Sequence, residues 1–289
     1  MVTILRRAAA GVVVLAMTAS APAEAQSVPG RAAVERERAD YVAWLRQAEV
    51  SPLRAVALRP FDGAFTLGPD GSDVPLPGVA AHRLVPQGGV AALEHPDGRR
   101  LIPRHRPVKI GSHTLLLGGP AGRSIVTVFG PDVLDVEPAF YPYDPSLAFT
   151  GTLVPASEPR TVRILAADGV EVDATEAGTV AVPIGGATHR LRVLRVPLPG
   201  TEESELEIYF RDATNGSGTY PAGRFVTVVP LPDGRYRLDF NRARNPFCAY
   251  STVYPCPVPW PGNALPLAVE AGERYIGGGL EVPASPEAP

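Results

Sequence analysis

The sequence predicts an all-β protein, mainly an antiparallel sandwich or barrel, with one N-terminal amphipathic helix. Three observations carry this. Glycine (29) and proline (33) make up about a fifth of the 289 residues, well above ordinary usage, which favours many short strands joined by turns. Turn signals recur about every 10 to 20 residues, at Gly68-Pro69-Asp70-Gly71, Pro86-Gln87-Gly88-Gly89, Pro96-Asp97-Gly98 and Gly118-Gly119-Pro120. Runs rich in β-formers lie between them: Val90 to Leu93, His113 to Leu117 and Ser124 to Phe129. Finally, two later segments alternate with period two. Leu206, Ile208 and Phe210 are interleaved with Glu205, Glu207 and Tyr209, the pattern of a half-buried antiparallel strand. Tyr236, Leu238 and Phe240 are interleaved with Arg235, Arg237, Asp239 and Asn241, which puts the last three on one face.

From the N-terminus, residues 1–25 read as a signal peptide. Arg6 and Arg7 form a short basic region, Ala8 to Ala19 an apolar one, and Ala23-Glu24-Ala25 a small-x-small cleavage site. Cleavage near Ala25 predicts a periplasmic or secreted protein with no transmembrane segment, because no later apolar run is long enough to span. Residues 26–59 hold a helix and lead-in. Val34, Tyr41, Leu45 and Ala48 recur at helical spacing over 31–48, with Glu35, Arg36, Arg38 and Asp40 between them, and Ser51-Pro52 stops the helix. A first β module is expected over 60–137. A second covers 138–276, entered through a proline-rich crossing at 138–146, and the tail 277–289 is rich in Gly and Pro and predicted disordered.

With 27 basic and 30 acidic side chains the formal net charge is −3, and 45 % of residues are hydrophobic. These values exclude a disordered chain and a strongly basic nucleic-acid binder. No phosphate-binding loop, dinucleotide fingerprint or Gly-x-Ser-x-Gly elbow occurs, so the sequence leaves any cofactor unknown.

The stretch Arg211 to Glu273 is unlike the rest. It contains Asp239-Phe240-Asn241-Arg242-Ala243-Arg244-Asn245-Pro246-Phe247-Cys248-Ala249, then Cys256-Pro257 and Ala271-Gly272-Glu273. This resembles the bacterial and archaeal family known as domain of unknown function 1684. Its signature is Asp-Phe-Asn-Arg-Ala-x-Asn-Pro-x-Cys-Ala, a following Cys-Pro and a late Ala-Gly-Glu. The resemblance implies a β-rich fold; because the family has no assigned activity, it carries no catalytic residue over to this chain.

Read from the residues alone, Asp212, Arg224, Asp239, Asn241, Arg242 and Glu273 form a candidate ligand-binding cluster. Carboxylates beside arginines can hold an anion or move protons; the same groups can also simply satisfy one another. Cys248 and Cys256, the only cysteines, predict a disulfide in an exported chain. A zinc site and a nucleophilic Cys248 are the alternatives; zinc needs two further ligands, which no Cys-x-x-Cys or nearby histidine supplies though Glu273 or Asp239 could serve, and no metal is assigned. The leading expectation is an exported β protein that binds a small molecule or an envelope partner. The alternative is a hydrolase or cofactor-dependent enzyme using carboxylates or a cysteine between residues 212 and 273.

Overall fold

The computed structural model describes residues 30–257, 259 and 262–275. The predicted signal segment, 1–25, and the predicted tail, 277–289, lie outside the described residues.

The helix Arg31–Gln47 buries Val34, Tyr41 and Leu45, the stripe that its apolar spacing selects. Past its end, the fully buried Ser51 accepts a hydrogen bond from the Leu53 N–H at 3.1 Å and donates to the Leu45 carbonyl. One hydroxyl thus closes the helix and starts the 3-10 turn Pro52–Arg54. Among the described residues no helix is long and apolar enough to cross a membrane.

Strands between residues 55 and 129 form two sheets. One is antiparallel in the order Ala55–Pro60, Ile125–Phe129, His113–Gly118, Val108–Ile110. The other runs Val74–Pro75, Phe65–Gly68, His82–Gln87, Val90–His95, Gly98–Ile102, with the first pair parallel. Leu67, Leu84, Ala91, Leu115, Leu117, Val126 and Val128 from both sheets share one core. Residues 55–59, expected in the lead-in, instead form an edge strand paired with Ile125–Phe129. It closes on Pro60, which is tolerated because the strand lies at the sheet edge.

The second region is one eight-stranded sheet, nearly closed into a barrel. Its order is Ala148–Gly151, Tyr236–Asp239, Arg224–Pro230, Ser204–Phe210, Ala187–Pro197, Glu171–Ile184, Leu153–Pro155. Thr161–Leu165 pairs with residues 171–175. Val182, Leu191, Val193, Ile208, Val226, Val228, Phe210 and Phe240 fill the interior. Phe210 and Phe240 meet edge-on at 5.1 Å, and burying each ring contributes about 2–3 kcal/mol. The long strand Glu171–Ile184 bends at a register shift between Glu176 and Gly178. Gly178 has φ +144°, and a Cβ there would lie 2.1 Å from the Val154 carbonyl oxygen. Only glycine permits that bulge.

The second period-two segment is shorter than its alternation suggests. The strand stops at Asp239, and Phe240–Arg242 is a 3-10 turn whose first N–H groups Asp239 caps. Asn241 therefore leaves the strand face on which the alternation placed it beside Arg237. The local hydrogen bond from the Asn241 N–H to Asp239 Oδ1 (3.0 Å) competes with strand continuation and wins.

Cys248 and Cys256 are paired at disulfide distance, with Cα atoms 5.5 Å apart. The bridge lies in a small apolar cluster where Ala55 and Phe129 of the first region meet Tyr220, Ala249 and Tyr254 of the second. Closing so short a loop removes little chain entropy, so the double Cys→Ser variant is expected to lose about 2.5 kcal/mol. Urea unfolding in the absence of reductant measures this, and a loss below about 0.5 kcal/mol would contradict it.

Candidate functional site

The structure divides the six sequence-predicted residues into three groups. Asp212 and Arg224 form an ion pair of 2.8 Å with both side chains fully buried. The two Arg224 Nη groups also reach the carbonyls of Val269 (2.9 Å), Ala271 and Glu273 (3.3 Å), while Nε has no partner among the described residues. Asp212 Oδ1 accepts from Thr214 N–H (2.9 Å), the Thr214 hydroxyl (2.6 Å) and Val269 N–H (3.2 Å). The pair fastens the C-terminal segment to the barrel. Burial lowers the Arg224 pKa, and Asp212 opposes that shift.

Asp239, Asn241 and Arg242 form the second group. Asp239 Oδ1 accepts from the Asn241 amide (2.9 Å), and its Oδ2 pairs with Arg242. Arg242 also grips Glu37 of the helix at 2.7 and 2.9 Å. The Asn241 side chain exchanges two hydrogen bonds with the Asp144 backbone (2.8 and 2.7 Å). Helix, crossing segment and strand end are thereby locked together.

Glu273 stands apart and fully buried. It accepts from the Asn245 N–H (2.9 Å) and the Tyr250 hydroxyl, and Tyr250 in turn contacts the Tyr41 hydroxyl at 3.0 Å. Burial pushes this carboxyl up to about 7. Ala271-Gly272-Glu273 needs its glycine, because at φ +74° a Cβ would meet the Ala243 and Phe240 carbonyl oxygens at 2.5 and 2.7 Å. All six residues are thus committed to partners inside the protein. The crevice beside Asn241 and Arg242 holds only about 10 Å³, at most one water.

Cys248 is 3 % exposed and paired, so it offers no thiolate for the nucleophile or zinc alternatives.

Space for a ligand lies elsewhere. A cleft of about 1240 Å³ opens between the helix, the first-region strands His113–Gly118 and Ile125–Phe129, and the outer face of the barrel. None of the six sequence-predicted residues lines it. Arg123 ties its two sides together through Glu171 (3.0 Å) and Asp173. One wall is aromatic: Trp44 lies 6.1 Å from Phe247, which lies 5.5 Å from Tyr254.

The barrel wall is polar and desolvated. Glu207 is 9 % exposed and Tyr209 5 %. They sit two residues apart on one face of the strand Ser204–Phe210. The Tyr209 hydroxyl lies within reach of the Glu207 carboxyl and the Ala167 backbone, but neither it nor Glu207 Oε2 makes a hydrogen bond of full geometry among the described residues. Burial, with the charges of Glu205 and Asp168 acting the same way, pushes the Glu207 carboxyl up to about 7. Asp168 also lines the cleft, its Oδ1 accepting from Val170 N–H at 3.1 Å, and burial raises its pKa. Across the sheet Tyr209 pairs with Phe225, and Phe225 bridges to Arg244. The Arg244 guanidinium stacks on the Tyr41 ring at 4.0 Å.

The residues of this wall were partly visible in the sequence. Glu205, Glu207 and Tyr209 read there as the solvated face of a half-buried strand. Folding covers Glu207 and Tyr209, and burial turns an ordinary polar face into one with unmet hydrogen-bonding capacity. Within the signature at 239–249, only Arg244 and Phe247 line the cleft. They occupy the two positions at which the motif specifies no residue.

A search of curated proteins finds no match. Among solved structures, one similar chain is the uncharacterized protein from gene locus rrnAC0354 of Haloarcula marismortui, a solution NMR structure. It is 31 % identical, the match covers 48 % of this chain and 77 % of that one, and the TM-score is 0.42. A family match spans residues 137–274, which include the signature, and the chain belongs to the family described as Protein of unknown function (DUF1684).

Proposed function

We propose that this protein is exported and binds a small organic ligand in the cleft between its two β regions. The observation that carries the reading is the cleft itself: about 1240 Å³, lined by the aromatic rings of Trp44, Phe247 and Tyr254 and by the buried polar groups of Glu207 and Tyr209. Pockets of this size and mixed character are the usual form of small-molecule sites. In this reading Asp212, Arg224, Asp239, Asn241, Arg242 and Glu273 brace the barrel behind the site. The signal-like segment 1–25 and a cysteine pair suited to an oxidising compartment support export.

A thermal-shift screen with small acidic, basic and neutral organic compounds tests the binding. At a hundredfold excess over Kd a ligand adds about 2.7 kcal/mol, a shift of roughly 5–10 °C for a chain of this size. At least one class is expected to stabilise the wild type but not Ala167→Trp, which projects a bulky ring from the cleft lining. Stabilisation of both proteins alike places the site elsewhere, and no stabilisation by any compound overturns the reading.

The hydrolase alternative loses the support of Asp239, Glu273 and Cys248, each satisfied internally. It keeps one specific observation, the carboxyl of Glu207 near neutrality beside Asp168 in the cleft, which suits a general acid. Turnover of a cleft-bound ester or glycoside, abolished in Glu207→Gln, would establish that alternative.

A further inference from the structure

We propose that the cleft recognises an organic cation, an ammonium group on an apolar body. The cation seats against Glu207, Asp168 and the Tyr209 hydroxyl, and the body lies on the Trp44–Phe247–Tyr254 wall. The inference rests on the cleft being the ligand site.

The charges lining the cleft are unbalanced. Glu37 is neutralised by Arg242 and Asp173 by Arg123. Asp40, Asp168, Glu202 and Glu207 line the cleft with no ion-pair partner among the described residues. Opposite them stand two arginines. Arg104 spends its donors on Ser124 (2.8 Å), the Gly118 (3.0 Å) and Gly89 (3.4 Å) carbonyls and the Gly119 carbonyl. Arg244 lies on the Tyr41 ring and within electrostatic reach of the buried Glu273 carboxyl behind it. Burial lowers the His105 pKa, so this residue adds no charge at neutral pH.

An acidic surplus alone would be an ordinary solvated surface. Two further facts separate this one. The Tyr209 hydroxyl is nine-tenths buried at the same place, with the Glu207 carboxyl and the Ala167 backbone within its reach but no hydrogen bond of full geometry to either, so its oxygen can still accept from an N–H donor. Asp168 is close enough to act electrostatically on Glu207, Tyr209 and Tyr254 together. Both carboxyls line the same cleft as Trp44, Phe247 and Tyr254. Carboxylates next to aromatic faces are the chemistry that recognises alkylammonium groups, through ion pairing and cation–π attraction. Burial is what chiefly keeps Glu207 and Asp168 from ionising freely, and a ligand cation would offset that cost.

The test compares three probes of one shape: 4-phenylbutylamine, 4-phenylbutan-1-ol and 4-phenylbutyrate. Affinity is read by calorimetry at pH 8, with tryptophan fluorescence as a second signal. The amine is expected to bind at least tenfold tighter than the alcohol, and the butyrate weaker than the alcohol. Glu207→Gln and Asp168→Asn, each nearly isosteric, are expected to bring the amine within about threefold of the alcohol while leaving the alcohol unchanged. Equal affinities for all three probes overturn the charge inference and leave the cleft reading standing. Preference for the butyrate overturns it in favour of an anion at Arg244. If none of the three binds, the cation inference fails, and the compound screen then decides separately whether the cleft binds anything.

Discussion

Replacing Arg224 with methionine is expected to destabilise the protein by about 3–5 kcal/mol, the largest single-residue effect anticipated here. The guanidinium is 2 % exposed, pairs with an equally buried Asp212 and hydrogen-bonds three carbonyls of the segment 269–273. Methionine matches its length but supplies no donor. It would leave a buried carboxylate without its cation and three carbonyls without partners. Asp212 keeps its Thr214 and Val269 hydrogen bonds, which limits the loss without cancelling it. In the double variant Asp212→Leu/Arg224→Met the stranded charge is gone, so its cost should be smaller than the sum of the two single changes. Urea unfolding midpoints at an unchanged m-value read the effect. A loss under 1 kcal/mol for Arg224→Met would mean that the pair does not hold the C-terminal segment.

Stability is also expected to carry a pH dependence from Glu273, the second large effect. Its carboxyl is raised from an ordinary 4.5 to about 7, chiefly by burial. A raised acid binds its proton more tightly in the folded chain than in the unfolded one. Its contribution is therefore complete below pH 4.5, is lost as pH rises, and levels off above about 7. At 1.36 kcal/mol per unit this amounts to about 3 kcal/mol. Glutamine at 273 has no such titration, so the stability difference between wild type and Glu273→Gln should shift by about 3 kcal/mol against the wild type between pH 4.5 and 8. Glu207 titrates in the same direction, while His105 and His113, whose pKa values burial lowers, act oppositely. All three are present in both proteins and cancel in the comparison. A difference constant to within about 0.5 kcal/mol across that range would show that Glu273 is not titrating in the interior.

What could be read before folding was local. The helix Arg31–Gln47 follows from the spacing of Val34, Tyr41 and Leu45, and the strand Ser204–Phe210 from strict alternation, because side-chain direction repeats every 3.6 or 2 residues whatever surrounds the element. The cysteine pairing followed from having two candidates eight residues apart. The importance of Arg211 to Glu273 was visible too, since Asp, Asn and Pro at turn positions act on their own backbone.

Tertiary packing alone decided how those residues are used. Glu37 meets Arg242 across 205 positions, and Asp212 is sealed beneath segment 269–273, so a cluster that looked available for a ligand is consumed as internal bracing. Glu207 and Tyr209 look like the wet side of a strand until the first β region and the loop at Asp168 close over them. A period reports which side chains share a face, but whether that face meets water depends on chain segments far away in sequence. The cleft draws residues from Glu37 to Tyr254, and no window of neighbouring residues contains it.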